Sequence, residues 1–222
     1  MIPLQFALRR RMMMAAGGGG APISELPLGA LINVGTDGGA GTPNYEIADK
    51  DNLVSGGVVL VRKNIYSYSM FGQSPYYSND TLDNLINTTI YNKMPQQLRD
   101  IMMDVTFSLF RSEDITRKMF ALTCTMAGFG NNNGVAEGKV LQLYKSDASR
   151  IKTLNGSVEY WWLSSLYSSS TGSAYAVDDN GSYSSWGLMP SSNCGAVPAF
   201  AIPSDTLYNA TPNTDGSYNL IL

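Results

Sequence analysis

The sequence predicts an α+β domain. Apolar, strand-like segments stand both before and after one compact helical block, and strand and helix nowhere alternate along the chain. Composition adds a third observation. With 44% hydrophobic and 15% charged residues over 222 positions, the chain can bury one core with appendages but falls short of two full domains.

The elements follow in order. Residues 1–16 read as a short amphipathic or extended arm, and Gly17 to Gly20 as a flexible joint. A cleaved secretory signal is not expected, because Arg9, Arg10 and Arg11 follow the apolar residues instead of preceding them. Leu4, Phe6, Leu8 and three consecutive Met are costly to leave in water, so residues 1–22 are expected to attach the chain to a partner subunit. A disordered tail, the commoner fate of chain ends, and a membrane-surface segment are the alternatives for the same composition.

The domain itself is expected over residues 23–204, with 205–222 as a C-terminal tail that packs back on it or onto a neighbour. Residues 28–35 alternate as a strand, 37–44 are turn material, and 56–71 form the richest β stretch. Asn79 or Asp80 can cap a helix whose Leu82, Leu85, Ile86 and Ile90 recur on one face. Pro95 can start a second helix carrying Leu98, Ile101 and Met102. Residues 118–130 and 139–144 return to strand character around an Asn-Asn-Asn-Gly loop.

Several function classes lose support. The chain has no His, which removes Ser-His and Cys-His nucleophiles, His-ligated zinc and the usual near-neutral acid/base group. Glu113, Asp114 and Asp147 lack a partner at the spacing of paired-carboxylate catalysis. No catalytic residue, metal or cofactor is expected. A net charge of −3 offers no positive field to collect phosphates, which argues against nucleic-acid binding. No apolar run is long enough for a membrane span. Cys124 and Cys194 read as two buried thiols, with a single bridge as the alternative in an oxidising setting. Five Asn-X-Ser/Thr triplets, at Asn79, Asn87, Asn155, Asn180 and Asn209, are the chance yield of an Asn- and Ser-rich chain.

Residues 160–203 carry the functional signal. Two apolar blocks, YWWLSS and GAVPAFAIP, bracket a segment rich in Ser, Tyr, Gly, Asn, Asp and Trp, a composition suited to presenting side chains to a partner. Trp161 and Trp162 are consecutive in an extended run, so one ring should enter the core and the other lie at a surface or under a loop. Asp178-Asp179-Asn180-Gly181 reads as a hairpin turn, since it lacks the spaced acidic ligands of a calcium loop. The candidate ligand-binding residues are Tyr167, Ser169, Thr171, Ser173, Tyr175, Asp178, Asp179, Tyr183, Ser185, Trp186 and Asn193. Merely soluble hairpin loops are the ordinary alternative for such a segment.

These motifs carry a resemblance. YWWLSS and GAVPAF resemble the W-W-L-R-S and G-V-R-P-A-F signatures of C-type-lectin-like domains in phage and gut-bacterial proteins. That group includes variable proteins diversified by retroelements, distant relatives of the formylglycine-generating-enzyme fold. SNDTLDNLINTTIYNKMPQQLR is similar to the family's S-x-L-x-x-x-L-N helix through Leu82, Leu85 or Ile86, and Asn87, and KMFALT to its core strand. Together these span roughly residues 25–205.

The resemblance implies a C-type-lectin-like α+β fold with twisted antiparallel sheets, two short helices and a loop-rich ligand face. Trp162, Leu163, Gly195, Pro198, Ala199 and Phe200 carry over as scaffold. Ser164 and Val197 stand where the family has bracing arginines, and Leu166 where it has Pro, so the bracing of the loops departs from the family pattern. The catalytic cysteines of the enzymatic relatives have no matching motif here. Trp186 and Met189 cannot arise from Asn codons by adenine changes alone, which marks the limit of a diversified reading for 167–194.

The function so implied is a phage virion-associated binding protein of receptor-binding or adhesin type, carried on a tail or capsid surface. Its loops would contact a bacterial surface protein or glycan, its arm would engage other virion subunits, and family analogy implies a homotrimer. The alternatives are a structural decoration or tail-tip assembly protein and a degenerate enzyme of the formylglycine-generating type.

Overall fold

A computed structural model describes residues 20–72, 77–112, 114–167, 173–184 and 187–222. In chain order its strands are β1 (Ala21–Pro22), β2 (Leu31–Asn33), β3 (Asn44–Lys50), β4 (Gly57–Arg62), β5 (Ser67–Ser69), β6 (Val105–Phe107), β7 (Ile115–Arg117) and β8 (Met119–Ala121). There follow β9 (Thr153–Leu154), β10 (Ser157–Val158), β11 (Trp161–Tyr167), β12 (Ser173–Val177), β13 (Cys194–Ala196), β14 (Pro198–Pro203), β15 (Leu207–Tyr208) and β16 (Tyr218–Ile221). The attachment arm proposed for residues 1–22 falls almost wholly outside the described residues.

The expected α+β lectin-like class is overturned. Among the described residues strand accounts for 35% and helix for 14%, and an eight-stranded mixed sheet dominates. Its order is β1-β15-β16-β2-β3-β4-β14-β8, with β16 running parallel to β2. The physical reason lies at the chain ends. Residues 205–222, expected as a tail, supply β15 and β16, which add Leu207, Tyr208, Tyr218 and Leu220 to the sheet and pair it to β1. Helical spacing, by contrast, covers only one internal block.

At the centre of the sheet the Val-Val-Leu-Val run of β4 lies between β3 and β14 and is buried throughout. The turn material at 37–41 is tied to it by an ion pair between Arg62 Nε and Asp37 Oδ2 at 2.6 Å, both buried, with the Tyr45 hydroxyl donating to the same carboxylate oxygen. At the far end, the edge strand β8 is closed by side chains. The Ala121 N–H donates to the Tyr77 hydroxyl at 3.0 Å, and its carbonyl accepts from Ser164 Oγ at 3.1 Å. Such capping removes the exposed pairing groups that would otherwise invite another strand.

The helical block forms as its spacing predicts. Asp80 caps the first turn through the Thr81 N–H, and residues 81–93 run on through a π-helical turn at Leu85–Ile90, burying Leu82, Ile86 and Ile90. Pro95 precedes the second helix, Gln96–Ile101, which buries Leu98. No helix among the described residues is long and apolar enough to cross a membrane.

Residues 139–144 do not form the expected strand. Leu141 and Tyr144 anchor the segment in the core, and its Leu141 and Leu143 N–H groups donate singly to Met126 and Ala48 carbonyls without a continuous ladder. Gly138, at φ +93° just ahead of it, turns the chain out of strand geometry.

A second, four-stranded sheet has the order β12-β11-β13-β5. β13 and β14 are separated only by Val197, so the GAVPAFAIP block passes from one sheet directly into the other. Both Trp161 and Trp162 are fully buried, so no ring of the pair reaches the surface. Trp161 Nε1 donates to the Arg150 carbonyl at 2.9 Å and Trp162 Nε1 to the Ser69 carbonyl at 2.8 Å, which satisfies each indole on its own side of β11. Trp162, Leu163, Ala199 and Phe200 are all wholly inaccessible.

Candidate functional site

The bracketed segment folds as an extension of the four-stranded sheet. β11 pairs with β12, and the chain then turns at 178–181 and comes back along β12, with bridges Val177 to Tyr183 and Ala174 to Leu188. Asp178 builds the turn. Its N–H donates to the Ser182 carbonyl, and its Oδ1 accepts from the Asn180 and Ser182 N–H groups at 3.2 and 2.9 Å.

Strand alternation then sorts the side chains. On β12, Ala174 and Ala176 face inward while Ser173 and Tyr175 face outward and are partly exposed. Tyr167 pairs with Ser173, which makes it a diagonal neighbour of Tyr175, and Tyr183 stands in the same relation on the returning segment. The result is a row of edge-to-face rings. Tyr167 and Tyr175 lie 5.0 Å apart between ring centres, Tyr175 and Tyr183 5.9 Å, and Tyr183 and Phe129 5.4 Å. Tyr183 is 42% exposed and forms the outermost contact surface of the row.

The row rests on two buried charged groups. Arg150 lies under Phe129 with its guanidinium carbon 4.3 Å from the ring centre. Its Nε donates to the Gly181 carbonyl at 2.8 Å and its Nη1 to Ala127 and Tyr144 carbonyls, while Nη2 pairs with Asp147. Glu137 is the second buried charged group. Its carboxylate accepts from the Phe110 N–H at 2.8 Å, from Asn132 Nδ2 at 3.1 Å and from Ser165 Oγ. Ser165 Oγ in turn accepts from the Cys124 N–H at 2.8 Å, and Asn132 Nδ2 also donates to the Leu166 carbonyl at 2.9 Å.

That network explains a bulge in β11. The register to β12 shifts between Trp162 and Leu166, and the intervening residues turn instead to the 121–124 segment. The Ser164 N–H donates to the Leu122 carbonyl at 2.8 Å, and Ser165 engages Glu137 and Cys124. At Ser164 the hydroxyl donates to the Ala121 carbonyl at 3.1 Å, while Val197 is a buried apolar residue.

Electrostatics follow from burial. Burial raises the Glu137 carboxyl above its ordinary value, against the hydrogen bonds from Phe110, Ser165 and Asn132 that favour its anion. Burial also pushes Tyr175 up to about 12, with Cys124 and the neighbouring tyrosines adding to it. Cys124 and Cys194 are buried and unbridged, and burial raises both thiols, so neither is poised as a nucleophile. Among the described residues no group of three or more His, Cys, Asp or Glu could hold a metal ion.

Residues 55–204 match DUF6273, a domain of unknown function. The chain belongs to the DUF6273 family. No curated protein and no solved structure matches it. The DUF6273 match begins just before β4 and ends after β14, so it contains the aromatic row and both of its supports. Strands β1, β2, β3, β15 and β16, which complete the large sheet, lie outside the DUF6273 segment.

Of the residues singled out by sequence, Tyr167, Tyr175 and Tyr183 are brought together, and Ser173 stands beside Tyr167. Asp179 is exposed at the turn tip and Asn193 is exposed ahead of β13, away from the row's ring contacts. Ser169, Thr171, Ser185 and Trp186 lie outside the described residues. Sequence reasoning missed Phe129, Arg150 and Glu137. Phe129 and Glu137 sit in a Gly- and Asn-rich stretch, and a lone Arg or Glu carries no sign that it will be buried.

Proposed function

We propose that this chain is a binding protein that contacts a bacterial surface protein or glycan through the Tyr167–Tyr175–Tyr183 row. One observation carries the reading. Three tyrosines that composition alone selects stand on three adjacent strand segments as one continuous aromatic surface, with a rigid support beneath it. Aromatic rings give large contact area at small entropic cost, and a surface fixed in advance avoids the ordering penalty of a loop. Residence on a phage virion, attached through the N-terminal arm, is the accompanying proposal. It rests on the arm's composition and on the motif resemblance of YWWLSS and GAVPAF. Many copies on a particle would convert weak single contacts into tight attachment.

Retention of intact bacterial cells on the immobilised protein tests the reading across a panel of strains. Retention by the wild type, lost in a Tyr167→Ser, Tyr183→Ser variant that melts normally, supports it. Equal retention by the variant overturns the assignment of the row. A reverse transcriptase gene beside this one, with a near-copy of the codons for 160–203, tests the kinship with diversified proteins.

A further inference from the structure

The chain holds three Asn-Gly pairs, at Asn133, Asn155 and Asn180, and all three stand in turns. Asn-Gly is the pair in which a side-chain amide is most open to attack by its own backbone, because glycine places no Cβ beside the attacking nitrogen. The fold restrains the three pairs unequally.

Asn180 is tied down on every side. Its side-chain oxygen accepts from the Ser182 N–H at 3.1 Å, its own N–H donates to Asp178, and the Gly181 N–H donates to the Asp178 carbonyl at 3.2 Å. Gly181 is buried, and Arg150 holds its carbonyl. Asn133 is exposed, but its Nδ2 donates to Asn132 Oδ1 at 2.8 Å. Its turn closes on Asn132 and Val135, whose backbone groups bond each other in both directions at 3.0 and 2.9 Å. Asn132 is itself buried and anchored on Glu137 and the Leu166 carbonyl.

Asn155 has neither restraint. It joins β9 to β10, a two-stranded sheet that pairs with no other strand, and residues 155–158 are all exposed. Among the described residues its side chain makes no hydrogen bond and the Gly156 N–H donates to none, while a Cβ at Gly156 would meet nothing within 4 Å. With Asn155 at φ 51°, attack on its amide waits on opening of the turn. An isolated two-stranded hairpin opens at little cost. The base of the hairpin is fixed, since the Ile65 N–H donates to the Thr153 carbonyl at 2.9 Å and the Glu159 N–H to the Lys152 carbonyl at 3.2 Å, so opening is confined to the tip.

We propose that Asn155 is a site of spontaneous covalent modification, deamidation through a cyclic imide. The Gly156 nitrogen gives up its proton and bonds to Asn155 Cγ, the Cγ–Nδ2 bond breaks, and Nδ2 takes up a proton and leaves as ammonia. Water from solvent then adds to one of the two imide carbonyls. Breaking the bond from nitrogen to Cγ gives an aspartate. Breaking the bond from nitrogen to the backbone carbonyl carbon gives isoaspartate, with the main chain rerouted through Cβ and Cγ. Either product puts a new carboxylate on an exposed turn, and the second also lengthens a turn of only two residues. The site is independent of the Tyr167–Tyr175–Tyr183 row, and failure of either assignment leaves the other standing.

Peptide mapping by mass spectrometry of the full chain, incubated at mildly alkaline pH both folded and in urea, tests the proposal. The readout at each pair is the mass change of water gained for ammonia lost, with isoaspartate counted by enzymatic methylation. In the folded chain Asn155 should react about five-fold faster than Asn133, the factor that about one net hydrogen bond corresponds to, and faster still than Asn180. In urea the three pairs should react at similar rates. Gly156→Ala should slow the reaction at Asn155 in both states and leave the other two pairs unchanged. Three results would overturn the proposal: no reaction at Asn155 in the folded chain while it proceeds in urea, equal rates at the three pairs in the folded chain, or the folded ranking persisting in urea.

Discussion

Arg150 reaches from a four-residue helix to the Gly181 carbonyl at 2.8 Å, and through that single hydrogen bond fixes the turn between β12 and its returning segment. The same guanidinium lies under Phe129, whose ring meets Tyr183. One buried cation thus connects the turn, the supporting loop and the outermost ring of the row.

Replacing it should be severe. Arg150→Met would leave the Gly181, Ala127 and Tyr144 carbonyls without that donor in a buried site, at a cost of about 3 kcal/mol. Its pairing with Asp147 contributes little to that figure, because the Asp147 side chain is 63% exposed. Thermal denaturation of the variant measures the loss, and a matching Asp147→Asn variant should melt close to wild type.

The turn itself offers a contrast between two glycines of the same handedness. Gly181 and Gly156 have φ of +86° and +87°. A Cβ at Gly181 would lie 2.0 Å from the Asp147 carbonyl oxygen, whereas a Cβ at Gly156 meets nothing within 4 Å. Gly156→Ala should therefore cost only the left-handed strain, about 1 kcal/mol. Gly181→Ala adds a collision with backbone and should cost about 3 kcal/mol. Chemical denaturation of the two variants side by side checks the difference, and equal losses would mean that the turn shifts freely over Asp147.

Glu137 makes stability depend on pH in a defined direction. Burial raises its carboxyl in the folded protein above the unfolded value, so folding favours the protonated form. That contribution is fully present below the unfolded pKa, about 4.3, and is lost as pH rises through the higher folded value. Glu137→Gln fixes the group as neutral. The melting temperature of the variant relative to wild type should accordingly climb as pH is raised from about 4, and a difference that stays flat would show that the hydrogen bonds from Phe110, Asn132 and Ser165 fully offset burial.

What could be read from the sequence, and what could not, divides along physical lines. The tyrosines of the row were legible as candidates by residue type, and the turn at 178–181 by its Asn-Gly pair, because both signals act locally. The helix starts at Asn79 or Asp80 and at Pro95 were legible for the same reason, and the structure puts the first cap on Asp80. The class was not, since the pairing of β15 with β1 and of β16 with β2 joins residues from opposite ends of the chain. Nor were Arg150 and Glu137, whose importance comes from neighbours brought to them by the fold. The burial of both tryptophans escaped for a related reason: alternation places the rings on opposite faces, but only the packing of other segments on each face decides that both are covered.

The contact between Ser165 and Glu137 is the most stringent test of the support beneath the row. Ser165 Oγ both donates to the carboxylate and accepts the Cys124 N–H, so Ser165→Ala leaves an acceptor and a donor unsatisfied in a buried site. A loss of about 2–3 kcal/mol is expected. Glu137→Gln perturbs the same contact from the other side while keeping an oxygen for Phe110 or Asn132. Once the contact is broken by one substitution, the other has less to remove, so the double variant should be more stable than the sum of the single losses predicts, by about 1–2 kcal/mol. Denaturant unfolding of the four proteins gives that coupling directly. Additive losses would mean that the bulge of β11 is held by Ser164 and Leu122 alone, and that the carboxylate serves only the Phe110 and Asn132 loops.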